Sequence, residues 1–359
     1  MRISKIQYRD NNWILNNLNL GQINLIVGKN ATGKSRTILV IDLIAKMITQ
    51  KKEIAWGNWD ISFTTIENQT IRYLIKSNSL NSIYSEKIYL NEKLVLNRQK
   101  NNAKIFSFVE NKFQEINPPE SKLVLHIRRD IKEYPFLEQI VFWAESSYIF
   151  KFGNLSPKEY LQNFDYNVFA ASEDISMLFN NMNKQSITNV INDLNTVGFK
   201  IANIFVKEKK EQLVLYVKEK GLIKAIPHYQ LSQGMYRTVA LIIYIEYLIS
   251  TIKPTTLIID DLCEGLDYDR ATKLGKLLYN KFSNTFIQLI FTSNDNFLMD
   301  VIDIEHWNIL LRNEKIITIY NSIDYPDLFK KFRFTGLSNF DLLSSDYIRK
   351  YDEKNSNIR

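Results

Sequence analysis

The apolar positions of the chain fall into runs, alternations and helical stripes. Gln22–Val27 is mostly apolar and stops at Gly28, Thr256–Ile259 stops at Asp260, and Phe286–Phe291 stops at Thr292. Such runs, rich in branched residues and closed by a turn or polar signal, predict buried strands. Met1–Tyr8 predicts a short amphipathic strand. Helical spacing follows the first run, at Ile38, Leu39, Ile41, Leu43, Ile44 and Ile48. It returns beyond Gln233, at Val239, Leu241, Ile242, Tyr244 and Leu248.

Between these regions the pattern changes twice. Residues 53–128 are β-rich, with strand character at Ile61–Ile66, Ile71–Ile75 and Lys87–Leu90 and Asn and Ser turns between them. From Pro135 the period becomes helical, with Phe136, Ile140, Val141, Trp143 and Ala144 on one face. Ser172 opens a further helical region that Ile187–Leu194 continues. We read 131–198 as a compact helical insertion in a domain 1–325 whose core is 1–130 and 199–325. Ile201–Val206 and Leu213–Val217 predict a hairpin, and Lys207–Lys210 reads as a solvated turn. Residues 326–359 form a cap or partner-binding tail, with Tyr351–Arg359 disordered.

The first strand-to-helix junction carries chemistry. Gly28-Lys29-Asn30-Ala31-Thr32-Gly33-Lys34-Ser35 is a G-x-x-x-x-G-K-S loop, followed by Arg36 and the helical stripe. Glycine adopts backbone angles that side chains forbid, so loop amides and a helix N-terminus can converge on a phosphate. Lys34 is placed to reach β- and γ-phosphate oxygens, and Ser35 to bind Mg²⁺ through its hydroxyl. The run ending at Asp260 supplies a carboxylate for the metal's water shell. Asp261 is placed to orient an attacking water. Gly265-Leu266-Asp267 follows, with Glu264 as a further nearby carboxylate. Between the two ends lies Leu231-Ser232-Gln233-Gly234-Met235.

Together these motifs resemble those of ABC-type ATPases, in the branch of SMC-like, RecF-like and OLD-like proteins. Leu231–Met235 is similar to the LSGGQ signature, Asp260-Asp261 looks like the Asp-Asp pair of RecF, and Asp267 matches the D-loop aspartate. The resemblance covers roughly 1–50 and 220–300. It implies an α/β P-loop head with an antiparallel β layer, and ATP hydrolysis with Mg²⁺. It further implies a homodimer in which Ser232, Gln233 and Gly234 meet the ATP of the other subunit. Ser232 is also suited to be an N-cap. The chain departs from the family twice. Asp261 has a shorter arm than the usual glutamate. Asn294, in Thr292-Ser293-Asn294-Asp295, stands where transporters carry a histidine, either as a γ-phosphate sensor that cannot titrate or as a plain turn residue.

Composition narrows the picture. Cys263 is the only cysteine and sits beside Leu262, which predicts a small buried residue and excludes an intrachain disulfide. His126, His228 and His306 are too scattered for a zinc site. No apolar run is long enough to span a bilayer, and no secretory start is evident, which fits a cytoplasmic protein without membrane insertion. A net charge of +7 permits nucleic-acid binding without demanding it. Lys330-Lys331-Phe332-Arg333-Phe334 interleaves bases with aromatics, as a nucleic-acid or docking segment would. Arg128 and Arg129 could reach phosphate, a partner or a surface salt bridge. The expected role is an ATPase of DNA repair or antiviral defence, with a separate nuclease or toxin as effector. The rival is a slow nucleotide-gated scaffold that holds such an effector, and a transporter motor ranks last.

Overall fold

One long sheet organises the chain in a computed structural model that describes residues 1–157, 171–209 and 212–356. Strands β1 (Arg2–Arg9), β2 (Ile14–Asn19) and β3 (Ile23–Val27) lead into helix α1 (Lys34–Ile48). Then come β4 (Gly57–Thr64), β5 (Thr70–Ser79), β6 (Ser82–Leu90), β7 (Lys93–Gln99), β8 (Asn102–Ser107) and β9 (Lys112–Ile116). Helices α2 (Val124–Ile127) and α3 (Pro135–Glu145) precede β10 (Ser147–Lys151). Helices α4 (Ala171–Asn180) and α5 (Lys184–Val197) precede β11 (Ile201–Lys209), β12 (Gln212–Glu219) and the short β13 (Ile226–Pro227). The remainder alternates: α6 (Gln233–Ser250), β14 (Thr255–Asp260), α7 (Tyr268–Phe282), β15 (Ile287–Thr292), α8 (Asn296–Val301), β16 (Trp307–Asn313) and β17 (Ile316–Tyr320). Helices α9 (Pro326–Arg333), α10 (Asp341–Ser344) and α11 (Tyr347–Ser356) close it.

The main sheet has 14 strands in the order β10-β14-β15-β3-β16-β17-β2-β1-β4-β5-β6-β7-β8-β9. From β10 to β16 neighbours run parallel, and from β4 to β9 they run antiparallel. Asn68, Asn81, Asn91 and Asn111 take positive φ at the turns of the antiparallel part. Asparagine tolerates the left-handed region, which accounts for the Asn-rich spacing of that segment.

The strand pleat separates two cores. On β3, Leu25 and Val27 join one core and Ile26 the other. On β14, Leu257 and Ile259 lie opposite Ile258, and on β15, Leu289 and Phe291 lie opposite Ile290. Both faces of these strands are covered, which is why their sequence reads as unbroken apolar runs. Ligands of such sheets bind beyond the carboxyl ends of the parallel strands. The register sets Asp260 opposite Lys151 and Thr292 opposite Ile26, so the ends of β10, β14, β15 and β3 form one rim.

Three expectations need correction. The segment 131–198 is not helical throughout: β10 pairs with β14 in parallel and is the outermost strand of the main sheet at that end. Its five-residue length and its aromatic and branched residues left no period to read. Residues 158–170 of that segment lie outside the described residues. Lys207, Glu208 and Lys209 belong to β11, not to a turn, and Lys210 lies outside the described residues. In the tail, α11 extends to Ser356, anchored by buried Ile348 and by Tyr347 against Phe332, whose ring centroids are 5.2 Å apart. Residues 357–359 lie outside the described residues.

Candidate nucleotide site

The loop between β3 and α1 is wound around its two glycines. Gly33 has φ +96°, and a Cβ there would stand 1.7 Å from the Trp13 ring. At Gly28 a Cβ would lie 2.5 Å from Thr32 Oγ1 and 2.9 Å from the Leu310 carbonyl oxygen. Ala31 also lies in the left-handed region, with φ 64°. Four loop carbonyls, those of Gly28, Lys29, Ala31 and Gly33, accept hydrogen bonds. Lys34 Nζ donates to Gly28 O at 2.8 Å, Thr32 Oγ1 to Lys29 O at 2.8 Å, and Arg312 Nη1 to Ala31 O at 3.2 Å. Gly33 O accepts from the Thr37 amide and hydroxyl. Such winding concentrates amides on the concave side of the loop, where an anion fits.

Trp13 is buried beneath this loop, with the Arg36 guanidinium 4.7 Å and that of Arg312 5.5 Å from its ring. Arg36 also pairs with Asp10 at 2.7 Å. Burial holds the Lys34 ammonium below the usual lysine range, and the charges of Asp261 and Asp260 oppose that shift. Lys29 is exposed and pairs with Asp346 of the tail at 2.7 Å, and Asn30 and Ala31 are exposed.

A hydroxyl cluster binds the end of β14. Ser35 Oγ donates to Asp260 Oδ1 at 3.1 Å, and Thr292 Oγ1 donates to the same oxygen at 2.7 Å. The Asp261 amide donates to Thr292 Oγ1 at 2.9 Å. Asp261 has φ 53° and Cys263 φ 71°, so the chain turns sharply off the strand. Burial raises the Asp261 carboxyl above its ordinary range, aided by the charges of Asp260 and Glu264 and opposed by Lys34. Gly153, just past β10, packs here: its Cβ would stand 2.1 Å from Glu264 Oε2 and 3.0 Å from Asp261 Cβ. Serine and aspartate oxygens are hard donors of the kind Mg²⁺ takes alongside phosphate oxygens and water. Among the described residues there is no group of three His, Cys, Asp or Glu that would hold a metal unaided. A Mg²⁺ that arrives with a nucleotide therefore fits Ser35 and Asp260. When bound, that ion would neutralise and polarise phosphate oxygens.

The signature segment begins α6. Ser232 caps the helix, its hydroxyl accepting from the Met235 amide at 3.4 Å, and both Ser232 and Gln233 are exposed. A Cβ at Gly234 would press on Gly265 O and the Leu266 side chain, each at 3.1 Å. Arg237 ties this helix to two loops. Its guanidinium donates to Leu155 O and Glu264 O, each at 2.9 Å, and to Gly153 O. Asp267 caps α7, accepting from the Arg270 amide at 3.0 Å and pairing with its guanidinium at 2.6 Å. That amide bond and the guanidinium hold the Asp267 carboxyl below the usual range. Asn294 is exposed just beyond β15, on the rim that carries Gly28 and Asp261.

The structure thus gathers the Gly28–Ser35 loop, Asp260, Asp261 and Glu264 at one place, and sets Ser232 and Asp267 on neighbouring helix starts. Thr292, Gly153, Arg237 and Trp13 escaped the sequence reading. Thr292 lies two residues before Asn294, and only the parallel pairing of β14 with β15 brings its hydroxyl to Asp260.

Fold and site define an ATPase-type P-loop domain, with the fold of SMC heads. Residues 23–300 match the family described as "AAA domain, putative AbiEii toxin, Type IV TA system", and the chain belongs to it. Among solved structures, the chain is similar to an SMC head bound to the C-terminal winged-helix domain of ScpA. The TM-score is 0.54 at 12% identity, covering 89% of this chain and 97% of that one. An SMC head from Pyrococcus furiosus with an extended coiled coil, bound to the C-terminal domain of ScpA, gives 0.53 at 10% identity over 92% and 99%. The SMC head domain from Thermotoga maritima gives 0.50 at 13% identity over 89% and 99%. At such identities the likeness is one of fold. No curated protein sequence matches the chain. Among the described residues no helix is long and apolar enough to cross a membrane.

Proposed function

We propose that this chain binds and hydrolyses ATP with Mg²⁺, and that two copies close around two nucleotides to drive work on a nucleic acid in repair or antiviral defence. The observation that carries the reading is the Ser35–Asp260–Thr292 cluster beside the wound phosphate loop, with Asp261 turned off the same strand end. Lys34 and the loop amides hold phosphates, and Ser35 and Asp260 hold the metal. Asp261 orients a water and accepts its proton, with Glu264 as a neighbouring charge and Asn294 as the phosphate sensor. Ser232, Gln233 and Gly234 are free to act across a dimer because Ser232 and Gln233 face solvent at the start of an 18-residue helix, where the dipole favours an anion.

Phosphate release from ATP, with Lys34→Ala as the blank, tests the reading. Lys34→Ala should abolish ATP binding, and full affinity in that variant contradicts the assignment. Asp261→Asn should trap an ATP-bound dimer on size exclusion, and a monomer with ATP counts against closure.

A second reading, a nucleotide-gated scaffold for a protein effector, is favoured by an apolar cleft of about 430 Å³ near the start of β1 and β14. Ile66, Ile131, Phe142 and Pro254 line it. ATP turnover that stays slow and indifferent to DNA would support this reading over the first.

A further inference from the structure

The small sheet β11-β12-β13 lies immediately before the signature segment, and its two sides differ in kind. Ile204 pairs with Val217 and, with Leu215, is buried in the core beneath α4 and α5. On the other side Phe205 pairs with Tyr216 and Asn203 with Lys218. The Phe205 and Tyr216 rings stack with centroids 5.5 Å apart and planes at 7°, and both are only half buried. Lys207 Nζ lies 5.3 Å from the Phe205 ring centre and 6.0 Å from that of Tyr216. Lys209 follows two residues on, and Lys200 and Lys220 meet at the other end through the Lys220 amide and Lys200 O at 2.7 Å.

Charge is uneven here. Against these five lysines the described strands carry Glu208 and Glu219, and none of the five forms an ion pair with a described carboxylate. The five lysines leave positive charge along the hairpin without a described carboxylate partner, and the half-buried aromatic pair leaves apolar surface in water. A polyanion with flat apolar groups relieves both. Lysines that track phosphates around aromatic rings that accept bases are the makings of a single-strand surface. An acidic polypeptide would satisfy the lysines and leave the rings unused.

We propose that this face binds single-stranded nucleic acid, with phosphates on Lys200, Lys207, Lys209, Lys218 and Lys220 and unpaired bases against Phe205 and Tyr216. The proposal rests on the reading of the chain as a nucleic-acid-directed ATPase and names the surface. It also gives the surface a route to the nucleotide site. The strand β13 leads into His228, whose Nδ1 lies 3.3 Å from Leu215 O. The His228 ring stacks on Tyr236 of α6, centroids 6.0 Å apart, one turn beyond the Ser232 cap.

The test is fluorescence anisotropy of the full chain with a fluorescein-labelled oligothymidylate of about 20 nucleotides, without ATP. Unlabelled duplex DNA and polyglutamate serve as competitors. Binding should be displaced by unlabelled oligothymidylate well before either competitor. Phe205→Ala with Tyr216→Ala should weaken it at least about tenfold, the scale of one or two lost stacking contacts. Lys207→Gln with Lys218→Gln leaves the rings in place and should lower the salt slope by about 1.4, about 0.7 per phosphate contact on a single strand. Absence of binding, wild-type affinity in both variants, or displacement by polyglutamate at equal charge overturns the proposal. ATP binding abolished only by Lys34→Ala would leave the ATPase reading standing through any of these failures.

Discussion

Thr292 Oγ1 donates to Asp260 Oδ1 at 2.7 Å and accepts from the Asp261 amide at 2.9 Å, so one hydroxyl fixes both residues at the end of β14. Thr292 is fully buried. Valine keeps its shape and removes the hydroxyl, leaving a buried amide and a carboxylate oxygen short of a partner. The expected cost is about 1–3 kcal/mol of stability. ATP turnover should fall at least about tenfold, because Asp261 then loses the bond that sets its backbone. Serine at 292 should recover most of the turnover. Phosphate release and urea unfolding of both variants check this, and a fully active Thr292→Val would show that the hydroxyl does not position Asp261.

How much of this was legible beforehand follows from what a local pattern can carry. The phosphate loop, the strand ends and the start of α6 at Gln233 are contiguous in sequence, and each brings its own signal. The antiparallel segment was visible as Asn turns between alternating strands. The strand β10 was not, because five residues wedged between helices show no period, and only pairing with β14 makes them a strand. Arg237 was invisible for a related reason. An arginine in an apolar helix reads as a surface charge, and its role depends on carbonyls of Gly153, Leu155 and Glu264 that the fold brings from distant segments.

Gly33 makes the sharpest steric prediction. A methyl group there would enter the Trp13 ring at 1.7 Å, on a backbone with φ +96°. Trp13 is fully buried and cannot swing away without opening the core beneath the loop. Gly33→Ala should therefore abolish nucleotide binding and lower stability by about 2 kcal/mol or more, combining strain with overpacking. Calorimetric titration with ATP and thermal unfolding measure the two effects separately. Retained affinity would mean that the loop does not hold this conformation.

In the proposed mechanism Asp261 accepts the water's proton, so its carboxyl should set the acid limb of ATP turnover. Burial, Asp260 and Glu264 raise its carboxyl above the reference value of 3.8, so the ionised form needed to accept a proton disappears at a higher pH than for an ordinary aspartate. For stability the sign is opposite to that of a salt-bridged aspartate. The folded chain keeps this proton at a pH where the unfolded chain has lost it. Its contribution is therefore fully present below the unfolded value and declines as pH rises through the raised folded value. Glu264→Gln removes one of the raising charges and should move the acid limb of kcat/KM to lower pH. Comparing the two proteins cancels the titration of ATP itself. Coincident limbs would mean that Glu264 does not act on Asp261.

Arg98 and Glu86 form a fully buried ion pair at 2.6 Å in the antiparallel part of the sheet. Arg98 also donates to the carbonyls of Lys100, Pro119 and Lys122, and Glu86 accepts from Tyr73 and the Val124 amide. This network fixes the segment 119–124 that leads to His126, whose ring lies 3.1 Å from the carbonyls of Met47 and Ile48 at the end of α1. The pair thus braces the far end of the helix that starts in the phosphate loop. Removing one partner of a buried pair strands the other, at about 3–5 kcal/mol. Arg98→Met should show that loss in urea unfolding. Arg98→Lys should recover only part of it, because a point charge can face Glu86 but cannot span three carbonyls as the planar guanidinium does. A loss below about 1 kcal/mol in Arg98→Met would mean that the carbonyls find other donors and that the network does not hold the segment.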